Sequence, residues 1–342
     1  MKFKQALEQL LSGRDLAHAD MLGLMQQGMS GELTSAQIAG LMIALRVKGE
    51  SVDEITAAAT VMRALSTKVE IADKTHLIDT CGTGGDGIQT FNVSTCAAFV
   101  AAAAGAKVAK HGGRSVSSTC GSADVLEALG VNVNVTPQQV AKCVDKIGIG
   151  FMFAPNHHSA MKHAAPARRE LGVRTIFNLL GPLTNPANAK RQVMGVFSKN
   201  LTLKLAKVLQ NLGSAHVMVV CGADGMDEIS FTGDTFVAEL KDGKISEYTL
   251  NPMQFGLKIH ALKSIKVENA QESKAIILDV LAGKHSVGKQ SAARDIVLLN
   301  AGAAIYVAGL QATINAGIEH AAKVIDNGAA KQKLAELIGL ST

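Results

Sequence analysis

The 342-residue chain has no tryptophan, and aromatic residues make up only 4% of it. Proteins that grip single-stranded nucleic acid stack bases on aromatic rings, so that class has few platforms here. Charged residues are 18% against 47% hydrophobic, a balance that suits a packed core and not a disordered chain. The five cysteines (Cys81, Cys96, Cys120, Cys143 and Cys221) are odd in number, scattered and never spaced as CxxC. They predict reduced thiols, with neither a disulfide frame nor a structural zinc site. Long apolar runs are also missing. The most apolar stretch, residues 96–106, is cut off by Lys107 and is too short to span a bilayer. Met1 is followed by Lys2, Phe3, Lys4 and Gln5, with no apolar signal core. A cytoplasmic protein is expected, with no membrane partner and no nucleic-acid partner.

The length suits about two domains. A net charge of +5 suits a polyanionic small substrate, and equally a solvated surface. Residues 1–66 carry helical signals. Thr34 with Gln37 and Ser51 with Glu54 fit the capping box, and Ile38, Leu41, Met42 and Leu45 have helical spacing. From about residue 75 the pattern alternates. Strands are predicted over 76–80, 106–110, 131–135, 149–153 and 215–221, and a hairpin at 240–244. Helices are predicted over 93–104, 122–129 and 157–171, after Thr136-Pro137, and from 269 onward, with Pro166 as a kink. Strands alternating with helices imply an α/β fold with a mainly parallel sheet, preceded by a small helical bundle.

The segment Asp79-Thr80-Cys81-Gly82-Thr83-Gly84-Gly85-Asp86-Gly87 follows the first predicted strand. Glycines placed there expose backbone N–H groups that can close on phosphate. The string satisfies GxGxxG, but a dinucleotide site also wants an acid about 20 residues on, and residues 102–110 contain none. The Walker pattern fails as well, because no Gly-Lys-Ser/Thr follows. Asn92-Val93-Ser94-Thr95 then opens a helix, where free N–H groups and hydroxyls suit phosphate; Asn92 or Ser94 is equally a simple N-cap.

A second loop, residues 110–118, gathers Lys110, His111, Gly112, Gly113, Arg114, Ser115, Val116, Ser117 and Ser118 after another predicted strand. Loops at the carboxyl ends of parallel strands share one crevice, so both glycine loops face one ligand, and a polyphosphate fits them. Asp227 and Glu228 offer carboxylate oxygens of the kind Mg²⁺ takes, although an isolated acidic pair is also an ordinary solvated turn. His157, Met161, Ala164 and Arg168 are spaced 4, 3 and 4 residues apart, so they share one face of the helix predicted over 157–171. Its guanidinium end suits an aromatic carboxylate. His157, His158 and His163 lack the acid or cysteine that would complete a zinc set.

Together these motifs resemble the anthranilate phosphoribosyltransferase family over nearly the whole length. The likeness is densest at residues 82–86, 92–95, 110–118 and 154–186 and at Asp227-Glu228. The resemblance implies a nucleoside phosphorylase-like fold: a helical domain of residues 1–70, completed by about 160–185, and an α/β domain of residues 71–342. It implies a homodimer through the helical domain, and transfer of phosphoribosyl from phosphoribosyl pyrophosphate to the amine of anthranilate in tryptophan biosynthesis. By the same resemblance Gly82, Gly85, Asp86, Thr90, Asn92, Val93, Ser94, Thr95, Lys110 and Ser122 hold phosphoribosyl pyrophosphate, and residues 110–118 close over it. Ser94, Asp227 and Glu228 hold Mg²⁺, Lys110, Asp227 and Glu228 form the catalytic set, and Arg168 and His111 meet anthranilate.

One position departs from the family, which usually reads Lys-His-Gly-Asn-Arg where this chain has Gly113. Loss of that amide's hydrogen bond to a charged acceptor costs about 1.5–3 kcal/mol. Three alternatives stand beside the main reading. A pyrimidine nucleoside phosphorylase would have no use for Arg168. A non-catalytic nucleic-acid-binding relative would have no use for intact glycine loops with Lys110 and Asp227-Glu228. A related phosphoribosyltransferase with another aromatic acceptor is suggested by Gly113.

Overall fold

The structure is a computed structural model that describes residues 1–114, 120–284 and 289–342. Ser115, Val116, Ser117 and Ser118 of the second loop therefore lie outside the described residues. The chain opens with four helices: α1 (Phe3–Leu11), α2 (His18–Ser30), α3 (Ser35–Lys48) and α4 (Val52–Leu65). Both expected capping boxes start helices. Thr34 Oγ1 accepts from Gln37 N at 3.2 Å and Ser51 Oγ from Glu54 N at 3.2 Å, and the Gln37 and Glu54 side chains accept back from Thr34 N and Ser51 N.

Seven strands then form one sheet: β1 (Leu77–Gly82), β2 (Lys107–Gly112), β3 (Ile149–Phe153), β4 (Arg191–Gly195), β5 (His216–Gly222), β6 (Thr235–Lys241) and β7 (Lys244–Leu250). Their spatial order is β3-β2-β1-β4-β5-β6-β7. β1 to β5 run parallel, and β6 and β7 add an antiparallel extension. The expected hairpin is present. Asp242 (φ 49°) and Gly243 (φ 74°) make its two-residue turn, both with the positive φ that a type I′ turn requires.

Two expectations fail, and one strand was not expected. Residues 131–135 form no strand. Val131, Val133 and Val135 are buried alternately, but their backbone has no ladder partner; the alternation is met by packing against the core alone. β4 was not among the expected strands, because Arg191 and Gln192 interrupt its short apolar run. It sits mid-sheet, where Gln192 Nε2 donates to Pro182 O at 2.7 Å and Arg191 Nη1 to Val307 O at 3.0 Å. Finally, residues 157–171 are not one kinked helix. They break into Ala154–His157, a 3₁₀ turn Ser159–His163, and Ala165–Leu171, with Pro166 starting the last piece instead of bending a longer one.

One face of the sheet packs on helix Val93–Ala103 and on the C-terminal helices Lys289–Val307, Ile314–Asp326 and Ala329–Leu340. Helix Val93–Ala103 is alanine-rich and buried, so neighbours approach its backbone closely. The other face shares a core with α1 to α4 and with Ala164, Ala167, Ile176, Phe177 and Leu180. Among the described residues, no helix is long and apolar enough to cross a membrane.

Candidate functional site

Strand order reverses between β2-β1 and β4-β5, so the chain leaves β1 and β4 in opposite directions. Such a switch point leaves a crevice at the carboxyl ends of the strands. A cavity of about 810 Å³ opens there. Gly82, Gly85, Asp86 and Thr90 line it from the loop after β1, and Asn92, Val93, Ser94 and Thr95 from the start of helix Val93–Ala103. Lys110, His111, Gly112, Gly113 and Arg114 line it from the end of β2. Ser122, Arg168, Asp227 and Glu228 complete the set. Every described site residue named from the sequence thus faces one cavity.

Backbone geometry explains several residue types. Gly84 (φ 63°) and Gly85 (φ 75°) take the left-handed conformation that lets the loop turn back. A Cβ on Gly112 would fall 2.2 Å from Ser122 Oγ, so glycine alone lets the second loop pass the helix at Ser122. Gly113 is different: a Cβ there meets nothing nearer than Ala154 Cβ at 3.9 Å.

The acidic pair reaches the site from the turn after β5. Asp227 Oδ2 accepts from Gly84 N at 2.8 Å, and Glu228 Oε1 accepts from Ser94 N at 3.0 Å. These bonds fasten the acids to the glycine loop and to the helix start. Burial, and then the nearby Asp86 carboxylate, push Asp227 well above the usual carboxylate range. Burial and then Asp227 do the same to Glu228, against the opposing pull of Lys110. Lys110 is 4% exposed; its ammonium donates to Thr80 O and lies 3.2 Å from Ser94 Oγ.

Among the described residues no three His, Cys, Asp or Glu side chains form a complete metal site. The two carboxylates and the Ser94 hydroxyl are hard oxygen donors that fit Mg²⁺ sharing its remaining positions with water and substrate phosphate. Two further hydroxyls, Thr83 Oγ1 and Thr95 Oγ1, are buried without a partner among the described residues, as donors waiting for a polyanion would be.

His111 and His158 meet Nε2 to Nε2 at 3.2 Å, with rings edge to face. His111 Nδ1 faces Gly181 O at 3.2 Å and must donate there. Its Nε2 is then an acceptor, His158 Nε2 the donor, and both rings are neutral. Burial, reinforced by the other histidines, pulls His111 down to about 3 and His158 to about 4. His157 turns away, its Nδ1 2.9 Å from Thr67 O, and Ala164 joins the core beside α1 to α4. The expected four-residue face is therefore reduced to Met161 and Arg168. Arg168 lies 5.5 Å from the Phe177 ring centre and has no acidic partner among the described residues. Arg114 is bound to Asp124 at 2.9 Å and to Glu127 at 2.6 Å. Asn92 sits at the helix start but makes no cap bond. Its amide Nδ2 donates to Cys120 O at 3.2 Å, and its Oδ1 accepts from Ser273 at 2.7 Å.

Sequence reasoning passed over Asp79 and Asn185. Asp79 is buried under the second loop, accepting from His111 N at 3.2 Å and from Asn185 Nδ2 at 2.7 Å. Asn185 also donates to Ala109 O at 2.9 Å. Asn185 falls in the stretch 154–186 where the family likeness is dense, but no local chemistry singled it out.

The α/β-domain model of a glycosyl transferase family matches residues 74–331, and the helical-bundle model of the same family matches residues 4–66. The anthranilate phosphoribosyltransferase of Methylobacillus flagellatus is 63% identical over 99% of this chain and 98% of its own length. That of Thiobacillus denitrificans is 60% identical over 99% and 97%. Among solved structures, the anthranilate phosphoribosyltransferase of Thermus thermophilus superposes with a TM-score of 0.91 at 40% identity, covering 98% of this chain and 99% of that one. The Saccharomyces cerevisiae enzyme in complex with phosphoribosyl pyrophosphate and Mg gives 0.89 at 30% identity, covering 99% and 97%.

Proposed function

The chain belongs to the anthranilate phosphoribosyltransferase family, and on that premise we propose how its own residues divide the work. It transfers the phosphoribosyl group of phosphoribosyl pyrophosphate to the amine of anthranilate, releasing pyrophosphate, in tryptophan biosynthesis.

The phosphates lie in the glycine loop of Gly82, Gly85 and Asp86 and against the helix start at Asn92 to Thr95. N–H groups, the helix dipole and the hydroxyls of Thr83 and Thr95 meet their oxygens there. Ser94, Asp227 and Glu228 hold Mg²⁺, which bound there neutralises charge on the leaving pyrophosphate. Lys110, anchored by Thr80 O and Ser94 Oγ, adds a fixed positive charge on the same side. Arg168 takes the anthranilate carboxylate, and neutral His111 and His158 line the acceptor side. Anthranilate's amine is neutral near pH 7, so positioning and electrostatics carry the step, without a covalent nucleophile. The observation that supports this most is the fastening of Asp227 to the glycine loop and of Glu228 to the helix start.

The division into residues 1–70, completed by 160–185, and residues 71–342 is supported by the core that α1 to α4 share with Ala164, Ala167 and Ile176. A homodimer through the helical domain is supported by the exposed apolar Leu11 on α1 and Val47 on α3 (71% and 82% exposed). A cytoplasmic location suits five free cysteines. The test is loss of anthranilate fluorescence when protein, phosphoribosyl pyrophosphate and Mg²⁺ are mixed, with an EDTA control. Metal-dependent loss supports the reading. No loss, with a melting shift on phosphoribosyl pyrophosphate, moves the acceptor to another aromatic amine.

A further inference from the structure

Helix Lys289–Val307 is lined with apolar side chains where it meets the sheet, yet it buries an amide, Asn300, that is only 3% exposed. Asparagine inside a helix is a poor helix former, and a buried amide is tolerated only when its polar atoms are engaged. Asn300 Oδ1 accepts from Ile229 N at 2.9 Å, and its Nδ2 donates to Ile229 O at 3.0 Å and to Ile296 O at 2.9 Å. The amide therefore grips both polar atoms of the residue that follows Glu228.

The rest of the turn is shaped mostly from within. Asp224 Oδ2 accepts from Ser230 Oγ at 2.8 Å and Thr232 Oγ1 at 2.7 Å, and Gly222 N donates to Met226 O at 2.9 Å. Those bonds give the turn a form but do not tie it to another element. Gly84 N and Ser94 N hold the two carboxylates from the front, and Asn300 holds the backbone from behind.

We propose that Asn300 is a positioning residue for the metal-binding carboxylates, fixing the peptide after Glu228 so that Asp227 and Glu228 present their oxygens together. The inference rests on the reading that this pair holds Mg²⁺. Fixing both polar atoms of one residue removes the freedom of the neighbouring side chains to drift, and a small misplacement of a ligand set is costly.

The test is calorimetric titration of the full chain with phosphoribosyl pyrophosphate, in excess Mg²⁺ and again in EDTA, without anthranilate. Asn300→Leu keeps a similar volume and removes both bonds to Ile229. It should raise the Kd in Mg²⁺ about ten-fold while leaving the EDTA value within about two-fold, as expected from losing two net hydrogen bonds. Ile296→Val, one turn away, loosens packing only and should leave both values unchanged. If Asn300→Leu fails to fold, Asn300→Ala is read in the same way. An unchanged affinity in Mg²⁺, or an equal loss in Mg²⁺ and EDTA, overturns the role of Asn300. The double variant Asp227→Asn, Glu228→Gln separates the two readings. If it keeps the Mg²⁺ gain, the metal assignment fails. If it loses the gain while Asn300→Leu keeps it, only the present inference fails.

Discussion

Asp227 carries its backbone carbonyl into the space a side chain on Gly195 would need: a Cβ built on Gly195 falls 1.5 Å from that oxygen. Gly82, the register partner of Gly195 across β1 and β4, has the same relation to the Asp227 side chain, with Oδ2 2.3 Å from its Cβ position. The acid is thus wedged over two paired glycines at the sheet's switch point. Gly195→Ala should push the acidic turn outward. A displacement on the order of 1 Å in a positioning element costs about a hundred-fold. We expect kcat/KM for phosphoribosyl pyrophosphate to fall by about that factor with the secondary structure retained, checked by steady-state kinetics and circular dichroism. Near-native kinetics would show that the turn can relax without moving the acids.

The crowded carboxylates should trade stability for function. Both have folded pKa values raised above their unfolded ones. Such groups stabilise the fold only while protonated, and that contribution disappears as pH rises through the folded value. In the metal-free protein at pH 8, Asp227→Asn with Glu228→Gln should therefore raise the melting temperature while turnover is lost. Melting curves at pH 5.5 and 8 check this: the gain should shrink at the lower pH, and a melting temperature lower than wild type at pH 8 would contradict it.

Acceptor binding should respond to Arg168 and Gly113 separately from donor binding. Arg168→Ala removes a charged hydrogen-bonding partner, worth about 1.5–3 kcal/mol, so the anthranilate KM should rise roughly ten-fold to a hundred-fold. The KM for phosphoribosyl pyrophosphate should stay near wild type. Gly113 has room for a side chain and does not need a positive φ, so Gly113→Asn should fold normally and lower the anthranilate KM. A rise instead would mean that the loop conformation depends on glycine.

The facing histidines predict an acid limb in stability. His111 and His158 have folded values of about 3 and about 4, below the ordinary 6.5. The unfolded chain takes up these protons first as pH falls. Stability from keeping both rings neutral is complete above about 6.5 and is drawn down as pH drops toward 4 and 3. It amounts to at most about 2 kcal/mol per ring at pH 5. Urea unfolding at pH 7.5 and 5.0 should show this loss, and His158→Gln should reduce it by about half. An equal loss in that variant would place the acid sensitivity elsewhere.

Much of the site was legible because its chemistry is local. The glycine loop at 82–87, the helix start at 92–95 and the loop from Lys110 are each short strings in which glycine, hydroxyl and cation sit side by side. The parallel-sheet rule brings such loops to one edge. The capping boxes of α3 and α4 and the hairpin at Asp242-Gly243 were readable for the same reason, since their partners lie within three residues.

What the chain order could not reveal is contact between distant residues. β4 went unread because Arg191 and Gln192 break its apolar run, and their partners, Val307 and Pro182, lie outside the strand. The apparent helix over 157–171 broke because His157 found Thr67 and the backbone rearranged around Pro166. The amino-acid sequence by itself determined the two kinds of architecture, the phosphate-binding loops and the acids and cations of the site, because these depend on residue type and near-neighbour spacing. Only the tertiary structure decided that Asp227 rests on Gly82 and Gly195, that Asn300 grips Ile229, and that His111 faces His158. Those relations arise when strands and helices remote in sequence pack at the switch point, and burial there sets the protonation states that isolated residues do not have.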